Sequence, residues 1–290
     1  MTAMVAVAPA PRHQIADLAV RSLIDEALLT PKPGLVDQRG PGVHRDMNLA
    51  LMLRSAESLR TAFERCAQAA AELPVGPPLR ARIGIIGRRG EQRMLEATGG
   101  VNTHRGALWA VGLLAAGASR RTGAEHVVAF AARLAAVPDP GLPPQGLRPS
   151  NGEQARRRYG VAGAAGEARR GFPHVIDAAL PTLHAARERG ANESSARLDA
   201  LLAVMASLVD TCLLHRGGLA GLAAVRHGAG EVLRAGGCST PTGRRRFARL
   251  DQLMRRRRLS PGGSGDLLAA ALFLDSIESI GGTTAWSSTP

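Results

Sequence analysis

The chain has few aromatic residues, a single lysine, three cysteines and no long hydrophobic run. Aromatics make up 3% of 290 residues, too few to line a surface with stacking platforms for single-stranded bases, which argues against a general RNA or DNA binder. Cys66, Cys212 and Cys238 are an odd number without a CxxC pair, so neither a disulfide framework nor a cysteine zinc site is expected, and the chain reads as reduced and cytoplasmic. No stretch of 18 or more apolar residues occurs, and the first residues lack a basic segment followed by an apolar one. Membrane spanning and secretion are both disfavoured. There is no GxxxxGK[ST] spacing, no His-Asp dipeptide and no HExxH, which excludes a Walker site, the HD phosphohydrolases and the common zinc hydrolases.

What is present is arginine. Of the 37 basic residues all but Lys32 are arginine, and against 24 acids they leave a formal charge of +13. That balance points to anionic partners, and arginine favours bidentate phosphate contacts. The arginine-rich segment 244–258 spaces Phe247, Leu250 and Met254 as one apolar helical face, so an amphipathic helix with a solvated basic side is preferred there over a nucleic-acid site.

Apolar residues recur with helical period over 15–29, 47–72, 79–97, 106–118, 124–136, 173–189, 195–214, 219–235, 242–257 and 264–277, with shorter pieces in 151–170. Alternating strand-type runs are absent, so an all-α fold is expected, with one catalytic domain over 13–280 and flexible tails at 1–12 and 281–290. Residues 137–152 read as a long surface loop. The segments beginning at His104 and His215 resemble one another over about one helix and raise an internal repeat.

Three His-Arg dipeptides, His44-Arg45, His104-Arg105 and His215-Arg216, each stand between a turn-forming loop and an apolar helical run. Cations at the positive end of a helix call for an anion in front of them. Four loops carry the candidate chemistry. Residues 28–47 combine Pro31, Pro33 and three glycines with Lys32, Asp37, Arg39, His44, Arg45 and Asp46, the last suited to cap a helix beginning at Met47. Residues 97–106 offer Gly99, Gly100, Asn102, Thr103, His104 and Arg105, a set suited to phosphate at a helix start. Residues 209–218 place Asp210 inside an apolar helix, where it is expected to be paired, hydrogen-bonded or metal-bound, followed by His215, Arg216, Gly217 and Gly218. Residues 259–270 open with Ser260 and Pro261 and present Gly262, Gly263, Ser264 and Asp266 as an anion cradle with one carboxylate placed for a cation.

Taken together, LLTPKPGLVD, HRDMNLALMLRSAE, TGGVNTHRGALWAVGLL, RYGVAGAAGEARRGFPHV, LHRGG and SPGGSGDLLAAALFLD resemble the triphosphoribosyl-dephospho-coenzyme A synthases, and most closely those serving malonate decarboxylase. The resemblance covers about residues 15–277. It implies a mostly helical fold and transfer of 5-triphosphoribose from ATP to the ribose 2′-hydroxyl of 3′-dephospho-coenzyme A, with loss of adenine. The product would be the prosthetic-group precursor of an acyl carrier protein, attached by a separate transferase; the same chemistry would serve citrate lyase. Gly265 stands where the family more often has alanine, and Val209 where an acid often precedes Asp210.

By chemical type and loop context, phosphate and substrate contacts are expected from Lys32, Arg45, Gly99, Gly100, Asn102, His104, Arg105, Arg216, Gly217, Gly262, Gly263 and Ser264. Mg²⁺ is expected on Asp210 and Asp266. Asp37 or Asp46 is expected to act as base, and His44 or His215 to donate to departing adenine. The expected partners are nucleotides, not membranes or nucleic acid, and a homodimer is left open.

Overall fold

A computed structural model describes residues 11–120, 123–141 and 150–283, the last three by backbone alone. The chain is all α: no strand occurs among the described residues, whose one β-bridge joins Asp37 to Gly40. In chain order the helices are α1 (Arg12–Leu28), α2 (Leu49–Ser58), α3 (Arg60–Glu72), α4 (Pro77–Thr98), α5 (Arg105–Ala118), α6 (Ala124–Ala136), α7 (Asn151–Tyr159) and α8 (Gly163–Arg169). A π-helical segment, His174–Ala179, then leads into α9 (Leu180–Glu188), followed by α10 (Glu193–Ser207), α11 (Thr211–Arg234), α12 (Pro241–Arg257) and α13 (Gly262–Thr283).

The apolar sequence RGALWAVGLLAAGA makes α5 the axis of the molecule, buried on most of its circumference and packed by α1, α3, α6 and α13. Close approach depends on small residues: a Cβ on Gly117 would lie 2.6 Å from the Val127 carbonyl oxygen, so α5 and α6 meet at backbone distance. Helices α10, α11 and α12 pack one on the next along one side of this centre, and α2 and α4 flank another. Phe247, Leu250 and Met254 are buried on α12, as the period of that basic segment predicts. No single described helix is long and apolar enough to cross a membrane.

Three boundaries differ from the expected ones. The run 47–72 breaks at Leu59, one residue after Ser58 turns its hydroxyl back onto the Ser55 carbonyl, a local bond that competes with the helix ladder. The run 195–214 ends at Ser207; the chain extends through Leu208 and restarts at an angle of 62° behind Asp210. Asp210 therefore lies between helices, as the N-cap of α11. Within α11 the ladder is interrupted at Gly218, whose φ of 60° and ψ of −162° suit glycine almost alone. The tails assigned to 1–12 and 281–290 fall mostly outside the described residues, although Arg12 opens α1 and the α13 backbone reaches Thr283. Most of the expected 137–152 loop also lies outside them.

Candidate functional site

The site lies where the C-terminus of α1, the loop between α1 and α2, and the N-termini of α5, α11 and α13 converge. Its scaffold is the loop of residues 29–48, fastened at both ends. Gly34, at φ 71°, approaches so near the Leu259 carbonyl that a Cβ would sit 2.3 Å from its oxygen. Asp37 is completely enclosed: it accepts from the Lys32 N–H at 2.7 Å, the Arg39 N–H at 2.8 Å and Arg39 Nε at 2.9 Å. Arg39 then reaches Asp251 of α12 at 2.8 Å. Burial pushes the Asp37 carboxyl up, but the hydrogen bonds from Arg39 and the two backbone N–H groups together hold it below its ordinary value. With both oxygens hydrogen-bonded and no access to solvent, Asp37 braces this loop.

The floor beneath the loop is acidic. Lys32, 1% exposed, turns inward and donates to the carbonyl of Glu26 at 2.5 Å and to its carboxylate at 2.6 Å. A Cβ on Gly265 would lie 3.1 Å from that same Glu26 carboxylate, so α1 and α13 touch here. One residue on, the half-buried Asp266 faces the first turn of α5: its Oδ2 would be 1.9 Å from a Cβ on Gly106. Burial, and after it the neighbouring Glu26 and Asp210 carboxylates, push Asp266 well above the ordinary carboxylate value, with only the Ala107 N–H opposing them.

Asp210 is placed differently from expectation. One carboxylate oxygen accepts from the N–H groups of Cys212 and Leu213, at 2.8 and 3.4 Å, and the other from Ser264 N and Oγ, at 2.9 and 3.0 Å. Two acceptor sites on each oxygen are thus filled. Asp210 pins the start of α13 to the start of α11, and Ser264 donates both of its groups to it. Gly262 and Gly263 pack against Cys212 and Asp210, with Cβ positions 3.0 and 3.1 Å away. The anion at this helix start is an aspartate of the chain itself.

The three His-Arg pairs also separate. Only His104-Arg105 stands at a helix start; His44-Arg45 lies in the loop, where Asn48 instead of Asp46 caps α2, and His215-Arg216 lies inside α11. His104 is enclosed, with Nδ1 2.7 Å from Ser55 Oγ and Nε2 without a partner. Burial first, and the Lys32 ammonium second, push its imidazole down to about 3, so it meets a ligand as a neutral ring. His44 contacts Ser260 Oγ at 2.9 Å and Arg216 at 3.4 Å, with the exposed Asp46 carboxylate at 4.0 Å. Burial and Arg216 lower its value, against Asp46.

Arg45, His215 and Arg216 are exposed, and Arg216 reaches the floor's edge through His44. Arg105 is exposed and pairs with Glu91. Gly99 and Gly100 serve to end α4: both have positive φ, and the Gly100 N–H returns to the Leu95 carbonyl at 2.7 Å. Asn102 accepts from the Arg105 N–H at 3.3 Å. Gly217 allows Leu259 to pack against α11, a Cβ there lying 2.4 Å from its side chain.

Glu26, Ser55 and Asp251 belong to the site and carry no loop signature. Glu26 had a readable one: it stands in the last turn of an apolar helix, where a carboxylate opposes the helix dipole and needs a partner. Among the described residues no group of three or more His, Cys, Asp or Glu side chains is arranged to hold a metal ion. A hard cation such as Mg²⁺ is nevertheless compatible with Asp266 and Glu26, because Mg²⁺ is commonly held by one or two carboxylates and completed by substrate phosphates.

Carboxylates of α1 and α13 thus crowd together beside a loop that carries Lys32 and His44. The chain belongs to the ATP:dephospho-CoA triphosphoribosyl transferase family, whose model matches residues 12–284, and its activity is that transfer. A probable 2-(5″-triphosphoribosyl)-3′-dephosphocoenzyme-A synthase of Stutzerimonas stutzeri is 53% identical over 95% of this chain and 96% of its own length. The 2-(5″-triphosphoribosyl)-3′-dephosphocoenzyme-A synthase of Klebsiella pneumoniae is 52% identical over 91% of this chain and 94% of its own. A similar probable synthase of Azotobacter vinelandii is 52% identical over 96% of this chain and 97% of its own. No solved structure matches the chain.

Proposed function

We propose that the enzyme breaks the bond between C1′ of ATP and adenine, joins C1′ to the ribose 2′-hydroxyl oxygen of 3′-dephospho-CoA, and passes the hydroxyl proton in net terms to adenine. The observation that carries this reading is the crowding of Asp266 by the Glu26 and Asp210 carboxylates, with Lys32 on Glu26 and Arg216 against His44 in the adjoining segments. Cleavage at an anomeric carbon develops positive charge on the sugar, and carboxylates beside it stabilise that charge as they do in glycoside hydrolysis. The triphosphate needs the opposite environment, which Arg45 and Arg216 supply at the edge and the remaining N–H of Lys32 supplies at the floor.

Mg²⁺ fits through Asp266, with Glu26 beside it, and not through Asp210; when bound it supplies neutralisation of the triphosphate charge. Asp46 is the base in this reading, since Asp37 has no free oxygen. His215 donates to adenine, since both ring nitrogens of His44 are engaged by Ser260 and Arg216. A single inverting displacement requires only that the 2′-hydroxyl be held in line with the breaking bond.

Incubating the protein with ATP and dephospho-CoA is expected to release free adenine, detected by chromatography, only when both substrates are present. Release of ADP or AMP without adenine would contradict the proposal. The close likeness of the motifs to the malonate decarboxylase-associated type supports that carrier as the destination. A deletion strain is then expected to leave the malonate decarboxylase carrier subunit without its prosthetic group; normal maturation would redirect the assignment to citrate lyase.

A further inference from the structure

Within the site, one buried group is left without a partner: the second ring nitrogen of His104. Its side chain is enclosed, 3% exposed, and Nε2 has no hydrogen-bond partner. A buried polar atom left alone calls for an account, and a ligand that brings its partner is one. On the ring's other side the contacts are close and continuous. His104 Nδ1 lies 2.7 Å from Ser55 Oγ, and Ser55 Oγ lies 2.5 Å from Thr103 Oγ1. Ser55 is fully buried on α2, whereas Thr103 is half-buried at the mouth of α5.

We infer that Thr103 and Ser55 are positioning residues: Thr103 Oγ1–H donates to Ser55 Oγ, Ser55 Oγ–H donates to His104 Nδ1, and the ring is thereby fixed with its one proton on Nε2, aimed at an oxygen of the bound triphosphate. The inference rests on the triphosphate reading above for the acceptor and, through it, for the tautomer, since the distances alone fit either direction of the relay. The opposite relay would have Nδ1–H donating outward to Ser55 and a bare lone pair at Nε2. A phosphate oxygen only accepts, so that tautomer would leave two acceptors facing each other. Enclosure beside the Lys32 ammonium keeps the ring neutral, so the contact gives direction to the triphosphate without adding charge next to Lys32.

The relay is tested on the full-length protein labelled with ¹⁵N-histidine and free of nucleotide. The His104 ring signals, identified by their loss in His104→Gln, are expected to show the Nε2–H form; the Nδ1–H form would overturn the relay. Thr103→Val keeps the shape of the side chain and removes its donor. It is expected to give a mixture of tautomers and to raise KM for ATP about tenfold, the scale of one buried hydrogen bond, with kcat changed less. Thr103→Ser restores both. A Thr103→Val protein with wild-type tautomer and wild-type KM would overturn the proposal. A wild-type protein with the Nε2–H ring but no adenine release would instead overturn the triphosphate reading and leave the relay standing.

Discussion

Asp266→Asn is expected to lower adenine release by on the order of 10²-fold or more while the melting temperature stays at or above that of the wild type. The rate effect follows from removing a carboxylate that no side chain of the protein neutralises and that can face charge developing in the substrate, the scale expected for a key electrostatic group. The stability effect has the opposite sign because Asp266 sits against Glu26 and Asp210, whose charges make its ionised form costly. An amide of nearly the same shape relieves that repulsion. Were Asp266 only a carboxylate facing the start of α5, its loss would cost about 0.3–1 kcal/mol of stability and leave the rate alone. Thermal melts combined with Mg²⁺-dependent adenine release separate the two, and a variant that melts earlier at wild-type rate would remove Asp266 from the chemistry.

Asp37→Asn should act the other way, through the fold. It weakens the hydrogen bonds that the buried carboxylate accepts from two backbone N–H groups and from the exposed Arg39, an effect of about 2 kcal/mol, or roughly 4–8 °C in melting temperature for a chain of this size. The loop of residues 29–48 loses its hold on Asp251, so Lys32 and His44 are less well placed and activity falls with stability. The pH dependence has a definite sign. Because the folded carboxyl sits below its ordinary value of 3.8, its contribution is complete above that value and is lost as the pH falls through the folded one. The gap in melting temperature between variant and wild type is therefore expected to narrow in acid. If Asp37 were the base, the variant would melt normally and lose only kcat.

The all-α fold was legible because helical period, propensity and the absence of alternating runs all agreed, and α12 and α5 follow their apolar faces closely. Boundaries failed where a single polar side chain decides the backbone. Nothing in the hydrophobic period distinguishes an aspartate inside a helix from one between two helices, and Asp210 proved to be the latter. The four loops do converge, as their shared chemistry suggested, yet the division of labour within them was not readable. A glycine-rich helix start and a nearby aspartate are equally compatible with a phosphate cradle and with the aspartate filling that cradle itself, and only the positions of Ser264 and Gly263 against Asp210 decide. Ser55 was missed for a related reason: it sits on a helix outside the loop motifs, and its meaning comes from His104, 49 residues away; Glu26 was readable as a carboxylate opposing its helix dipole, but its crowding with Asp266 comes from the other end of the chain.

That dependence on distant partners governs when the site can come into being. The bond between His44 and Ser260 spans 216 residues, and the clamp of Gly34 on Asp251 spans 217. A chain emerging from the ribosome at the usual pace makes Lys32, Asp37 and His44 roughly 10–40 s before the residues that secure them. During that interval Arg39 has only half of its bridge and the Glu26–Lys32 pair lacks its cover from α13. The N-terminal helices can pack early through local contacts, but the loop of residues 29–48 takes its final form last, when α12 and α13 dock and close some of the longest loops in the molecule.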